Sequence, residues 1–251
     1  PHPGGWDKTL DVIGRLFDLD IPVFIAAESL PAYMFNTRML SLTAEPFIDI
    51  TGSHLSPSTL CTKRMFDVVI SAIMLTVCAV PLAIMAAAVK IDSKGPAFYR
   101  QERMGLRKKR FQIIKLRTMR LGSEADGAPT LSHKNDSRVT GLGRFLRKYR
   151  IDELPQFFNV LRGDMSIVGP RPERPYFVEK IMERDPSYTL LHRIRPGITS
   201  LGMIRYGYAT TVDEMIARMR YDLFYLDKIS LLTDLGIIVH AIYTVMSGKG
   251  I

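Results

Sequence analysis

Asp152 and Glu153 stand side by side directly after a run in which Arg144, Arg147, Lys148 and Arg150 interleave with Phe145, Leu146 and Tyr149. Further along, Arg171 is held between Pro170 and Pro172. Acids set among cations suit phosphate chemistry. The cations attract a phosphate, but a carboxylate facing it is repelled unless a divalent cation lies between them or the carboxylate attacks phosphorus. An arginine flanked by prolines has a restricted backbone, which pre-sets a planar fork suited to a nucleotide phosphate.

The same residues have ordinary structural roles as well. Asp152 lies three residues ahead of Pro155 and before the apolar Phe157, Phe158, Val160 and Leu161. That places it as a helix N-cap, with Pro155 in the first turn, where its missing N–H costs nothing. A helix start also attracts anions. In the structural reading the upstream arginines are solvated, and Arg171 ties its loop to a carboxylate. Residue types and spacing leave both readings open.

The elements that must position these groups come from a chain of 251 residues, enough for one good-sized domain or a small one plus a larger one. Hydrophobic residues at 47% supply a core, and a formal net charge of +9 calls for a polyanionic partner: nucleic acid, anionic lipid or phosphorylated substrate. Cys61 and Cys78 have no metal or redox spacing, so no disulfide framework is expected, as in a reducing compartment.

Residues 1–60 read as a helix around Leu10–Phe17 running into a strand over Ile21–Ala26, then a Ser/Thr/Gly-rich linker over Thr51–Thr62. Val68 to Val89 carries no charge and is just long enough to cross ~30 Å of hydrocarbon. Pro81 sits near its middle, and both flanks are basic: Lys63 and Arg64 before it, Lys90, Lys94, Arg100 and Arg103 after it. Two flanks that both favour the cytoplasmic face predict a segment that enters, bends at Pro81 and returns. Gly122–Ser137 reads as a polar loop with solvated acids and a solvated His133. Met215, Ile216, Met219 and Leu223 form a helical stripe with Arg218 and Arg220 outside it. Leu231–Met246 reads as an interfacial or core helix, with His240 a hydrogen-bonded packing residue.

Five segments in order, Lys63–Leu75, Phe98–Gly105, Ile113–Met119, Arg147–Glu173 and Arg195–Thr199, resemble the bacterial polyprenyl-phosphate phosphoglycosyl transferases of the monotopic, single-subunit type. The likeness covers about residue 61 to the C-terminus. It implies an α/β, helix-rich monotopic membrane protein, with a re-entrant hairpin over about 63–92 and interfacial amphipathic helices. Residues 61–251 would be the catalytic domain and residues 1–60 the remnant of an N-terminal α/β domain plus linker.

The resemblance also implies roles. Asp152 would attack the sugar-bearing phosphate of a UDP-sugar, release UMP and hold the phosphosugar until polyprenyl (undecaprenyl) phosphate takes it. Glu153 would support Mg²⁺ or handle the acceptor, and Asp222 would aid the metal site, giving Asp152, Glu153 and Asp222 as metal residues. Lys115 and Arg147 would touch phosphate, Arg147 near the acceptor. Arg171 and Pro172 would serve donor binding. The site would face the cytoplasm at the bacterial inner membrane, in contact with lipid and without nucleic acid; a homo-oligomer is left open. After Thr199 the sequence Ser200–Tyr208 departs from the family's usual continuation, so the donor sugar does not carry over. Two rival classes are a basic nucleic-acid-binding protein and a non-catalytic membrane scaffold of polysaccharide assembly. A scaffold would not need Asp152 and Glu153.

Overall fold

A computed structural model describes residues 24–26, 47–49, 57–122, 131 and 136–248. The chain divides into two compact units, Pro1–Ser58 and Thr59–Ile251. In the first, strands β1 (Phe24–Ala26) and β2 (Phe47–Asp49) pair antiparallel, with Phe24 opposite Asp49. The strand expected over Ile21–Ala26 is thus seen at its last three residues; the helix expected around Leu10–Phe17 lies outside the described residues.

A long helix, α1 (Pro57–Asp92), begins within the stretch read as a linker, and all but its first two residues belong to the second unit. Pro81 lies inside it and does not end it, so the expected break is not a break in the helix. One side of the first turns docks on the rest of the unit, with Lys63 and Asp67 buried. Lys63 pairs with Asp234, Arg64 donates to the carbonyls of Val160 (2.8 Å) and Leu161 (3.1 Å), and Asp67 accepts from the Ser166 hydroxyl (2.7 Å) and the Ile167 amide (3.1 Å). The last turns dock as well. Val89 is buried with Leu116 and Leu146, and Leu82, Met85 and Ala86 pack on that cluster. Arg117 closes this end by donating to the carbonyls of Val89 (3.2 Å) and Ser93 (2.7 Å), as a cation at a helix C-terminus should. Between the two docks Ile73, Val77 and Val80 are exposed.

A hairpin follows: β3 (Phe98–Met104) and β4 (Arg110–Leu116) pair antiparallel, Tyr99 opposite Lys115 and Arg103 opposite Phe111. Strand alternation puts Tyr99, Gln101 and Arg103 on one face, and all three line the cavity described below. Helix α2 (Gly141–Lys148) is capped by the Thr140 hydroxyl, which accepts from the Gly143 amide at 2.9 Å. Gly143 is needed there, since a Cβ would lie 2.2 Å from the Thr118 carbonyl oxygen.

The remaining elements are α3 (Gln156–Arg162), β5 (Ser166–Val168), α4 (Pro175–Arg184), β6 (Gly197–Thr199), α5 (Leu201–Arg205), α6 (Val212–Asp227) and α7 (Leu231–Met246). β5 and β6 pair in parallel. The main core gathers Phe177, Val178 and Ile181 of α4 with Met215 and Met219 of α6, around Tyr188 and Leu191. The fold is mixed and helix-rich; among the described residues the sheets are two-stranded.

Helix α7 faces outward with its apolar side. Leu232, Leu235, Val239, Ile242, Tyr243 and Met246 are exposed, while Asp234 and Ile237 are buried. Asp234 holds the helix down through Lys63 and the Tyr225 hydroxyl. An outward apolar stripe is the reverse of a soluble helix and matches an interfacial one. His240, read as a packing residue, is exposed. Together with α1, long and apolar enough to cross a membrane, this surface is compatible with monotopic membrane association.

Candidate active site

A cavity of ≈ 410 Å³ opens among β3, β4, α2, the segment around Asp152, the loop after β5, and α6. Nine arginines and lysines line it against three carboxylates, Asp152, Glu153 and Glu173. Such a surplus of cations in a concave site fits a ligand carrying more than one negative charge.

Asp152 and Glu153 lie on a 3-10 turn, Ile151–Glu153, entered through Arg150 in the left-handed conformation (φ 50°, ψ 25°). Left-handed arginine is strained backbone, and such strain gathers at functional sites. The N-cap of α3 is Pro155. Asp152 therefore does not cap α3, and the capping role is set aside: the 3-10 turn intervenes and sends the side chain to the cavity.

The two neighbours differ sharply. Glu153 Oε1 accepts from Lys115 Nζ at 2.7 Å and Oε2 from Arg150 at 3.1 Å. Burial alone would push Glu153 up, but Lys115, Arg150 and Arg171 together outweigh it and hold the carboxyl well below its ordinary range. Asp152 is equally buried, yet among the described residues no hydrogen bond or ion pair engages its carboxylate. Burial first, and then the Glu153 charge, push it up to about 6, against the pull of Lys115, Arg147 and Arg150. One carboxylate is locked and ionised; the other is left available.

The structure brings Lys115, Arg147, Arg171, Asp152 and Glu153 to one cavity. Arg147 is oriented by Thr118, whose hydroxyl accepts from its Nε at 2.9 Å. Arg171 lies 3.8 Å from Glu173 and over the ring of Tyr208 at 5.5 Å. Arg150 faces the same ring at 5.6 Å, so Tyr208, from the stretch that departs from the family pattern, sits between two site arginines.

Pro172 and Asp222 are not among the lining residues. Pro172 acts through its carbonyl, which accepts from Arg103 at 3.0 Å. Asp222 accepts from the amides of Gly202 (2.7 Å) and Arg171 (3.5 Å), so it braces the Arg171 loop. Burial pushes it up to about 6 in spite of those amides. Among the described residues no three His, Cys, Asp or Glu side chains converge as a ready metal site. The expected set of Asp152, Glu153 and Asp222 is thus not assembled. Asp152 and Glu153 could still hold Mg²⁺ together with oxygens of a phosphorylated ligand, since each Glu153 oxygen keeps a second lone pair.

Several site residues escaped the sequence reading. Arg218, placed outside its helical stripe, is 4% exposed and paired with Glu173. Asn159, buried in α3, accepts from the Ile114 amide (3.0 Å) and donates to the Gln112 carbonyl (2.8 Å), so it pins the edge of β4 and sets Lys115 against Glu153. An Asn inside the apolar Phe157–Leu161 segment was the available signal. Asp136, expected to be solvated, is buried and paired with the part-exposed Arg138, while His133 lies outside the described residues.

The family model described as bacterial sugar transferase matches residues 58–248. The chain belongs to the bacterial sugar transferase family. It is 36% identical over 231 residues to a UDP-N-acetylgalactosamine-undecaprenyl-phosphate N-acetylgalactosaminephosphotransferase of Aeromonas hydrophila, covering 90% of this chain and 54% of that one. It is 35% identical over 235 residues to a UDP-glucose:undecaprenyl-phosphate glucose-1-phosphate transferase of Klebsiella pneumoniae (93% and 50%), and 41% identical over 187 residues to one of Caulobacter vibrioides (74% and 70%). The chain spans about half the length of the first two relatives. Relatives that differ in donor sugar are about equally similar, so identity does not choose the sugar.

Proposed function

We propose that this sugar transferase moves a phosphosugar from a UDP-sugar to a polyprenyl phosphate through a covalent intermediate on Asp152. The observation that carries the reading is the contrast between two adjacent buried acids: Glu153 paired at both oxygens, and Asp152, without a hydrogen-bond or ion-pair partner among the described residues, lining a cation-rich cavity. In the first half-reaction a carboxylate oxygen of Asp152 attacks the sugar-bearing phosphorus. The bond to the bridging oxygen breaks, and UMP leaves with that oxygen and its electron pair. In the second, a phosphate oxygen of the acceptor attacks the same phosphorus. The acyl phosphate bond breaks, the Asp152 carboxylate is restored, and polyprenyl diphosphosugar leaves.

Lys115 and Arg150 hold Glu153 ionised and lend their charge to the same phosphate. Arg147, fixed by Thr118, is the candidate for the acceptor phosphate, and Arg171 for the donor. Mg²⁺, when bound with the diphosphate beside Asp152 and Glu153, supplies charge neutralisation. Phosphoryl transfer is mostly positioning and electrostatics, and this cavity is built from those means.

The membrane part of the reading is a re-entrant segment on the cytoplasmic side of the inner membrane. From Asp67 to Val89 a straight helix would span ~33 Å, about the thickness of the hydrocarbon layer. Both ends dock on the same unit, which supports a path that returns to its own face. Thiol labelling at Cys61 and at Lys94→Cys should come from one face; labelling from opposite faces excludes it. Residues 1–60 are proposed to be the end of an N-terminal α/β domain. The pathway would be an early membrane step of exopolysaccharide or related glycan synthesis.

The test of the whole reading is a panel of UDP-sugars without acceptor. One of them should release UMP and add one phosphosugar mass to the Asp152 peptide; the same mass on another peptide would refute the assignment.

A further inference from the structure

The cavity holds a second carboxylate with its own arginines. Glu173 is 5% exposed and takes Arg218, Arg103 (3.6 Å) and Arg171 (3.8 Å) at once. A structural ion pair needs one cation per acid. Here three arginines share one carboxylate in a largely buried place, which is unfavourable unless a further anion joins them.

Arg103 shows the crowding directly. Its terminal nitrogens donate to the Pro172 carbonyl and the Gln101 side chain, while its Nε is buried with no partner among the described residues. Burial first, then the neighbouring Arg171 and Arg174 charges, push its guanidinium down to about 10, although Glu173 opposes them. An arriving anion would relieve what these neighbours impose.

We propose that Arg103, Arg171 and Arg218, gathered on Glu173, form a second anion subsite that takes the nucleoside-bearing phosphate of the donor. This rests on the reading of the cavity as a UDP-sugar site. The subsite is separate from the Asp152 end, where Lys115, Arg147 and Arg150 surround the phosphate to be transferred. Arg171 belongs to both ends, since Glu153 and Glu173 both act on its charge. One shared arginine between two cation groups suits the two linked phosphates of a diphosphate.

The walls decide which phosphate goes where. Arg218 lies one helical turn from Met215 on α6, and Phe177 lies one turn into α4 from Arg174. Met215, Phe177 and Ala209 give this end of the cavity an apolar wall suited to a nucleoside. Glu173 is a positioning residue in this scheme: it spaces the arginines and keeps their charge from scattering them.

UMP carries only the nucleoside-bearing phosphate, so it is the probe, used as an inhibitor of the whole membrane-reconstituted chain beside uridine and inorganic phosphate. Arg218→Met and Arg103→Met keep the side-chain stem. Each should weaken UMP inhibition roughly tenfold or more, as loss of a charge-assisted hydrogen bond does. Uridine inhibition should stay unchanged. The double variant Arg218→Met, Glu173→Gln removes cation and partner together, guards against misfolding, and should weaken UMP to a like extent. UMP inhibiting parent and variants alike overturns the subsite, while phosphosugar labelling of Asp152 would still uphold the transferase reading. A parent that neither releases nor binds UMP overturns both.

Discussion

The inside of the cavity and the outside of α1 and α7 reverse the usual order of a soluble protein. Arginines, lysines and carboxylates are gathered where a core would be apolar, and Val77, Val80, Leu232 and Val239 are exposed where a surface would be polar. Each region is costly in water on its own. Each becomes favourable with a particular partner, a polyanion for the first and hydrocarbon for the second. The proposed transfer of a sugar phosphate to a lipid phosphate would need both partners at once, and the two regions adjoin: Leu116 lines the cavity and also packs with Val89 of α1.

Asp152→Asn should reduce turnover to background, because an amide is a poor nucleophile, and should abolish phosphosugar labelling. The same variant separates chemistry from stability. A carboxyl raised to about 6 from 3.8 contributes stability below pH ~4 and loses it as pH rises through 6, so its ionised form opposes folding at pH 7.5. Asn should therefore raise Tm at pH 7.5, through on the order of 1–3 kcal/mol of added stability, a gain that fades toward pH 4. A lowered Tm at pH 7.5 would show that the carboxylate is structural after all.

Removing divalent cations tests the same end of the cavity from the ligand side. Nine cations already face three acids, yet the two acids nearest the chemistry would meet a diphosphate directly. Chelation after metal-free purification should lower kcat by orders of magnitude, with recovery on adding Mg²⁺. Full activity in excess chelator would mean that arginine and lysine suffice. The pH profile is a smaller effect in the same place. With Asp152 near 6 and Glu153 ionised far below, activity in the first half-reaction should fall about tenfold per unit below pH 6. An unchanged rate at pH 5 would rule out a carboxylate nucleophile with that environment.

How much of this was readable beforehand differs between the two regions. The apolar run of α1, the basic flanks and the Asp152–Glu153 pair were visible as residue types, since charge and hydrophobicity are written directly in the sequence. Which acid is free was not. It depends on Lys115 arriving across a hairpin whose strands mix charged and apolar residues, Phe98–Met104 and Arg110–Leu116, and so lack a clear alternating signal. It depends also on a left-handed Arg150, where neither Gly nor Asn marks the turn. Arg218 was legible only as a residue outside the apolar stripe, because a helical stripe is read by polarity, and only the fold supplies Glu173 as the partner that lets an arginine be buried. Pro81 misled in the other direction: it promised a break, and the helix continues through it.

Asn159 joins the two ends of that difference and carries a moderate prediction. Its side chain fills the hydrogen-bonding edge of β4 at Ile114 and Gln112. Asn159→Leu keeps the volume but leaves the part-buried Ile114 amide and Gln112 carbonyl without this partner, at a cost of about 1–3 kcal/mol. Because Lys115 would lose its register against Glu153, kcat should fall more than the stability loss explains at temperatures where the variant is still folded. Thermal melts and initial rates on the same preparation check this; equal loss in both would reduce Asn159 to a packing residue.

The smallest expected effect lies on the outer surface. Val239 is 66% exposed on the outward stripe of α7, and Leu232 is 81% exposed one end of the helix away. In a protein surrounded by water, replacing either by Glu should be neutral or mildly helpful to solubility. At a lipid interface the same change puts a charge into the headgroup boundary and removes buried apolar area, worth roughly 1–3 kcal/mol of membrane affinity. In the proposed membrane arrangement α1 would remain as the main anchor, so Val239→Glu should lower vesicle partitioning only several-fold and leave the rate on a water-soluble, short-chain acceptor unchanged. Flotation with liposomes, compared between Val239→Glu and the inward Ile237→Val as a packing control, separates the cases. If Val239→Glu partitions like the parent, α7 does not touch the membrane, and its apolar stripe is covered by something other than lipid.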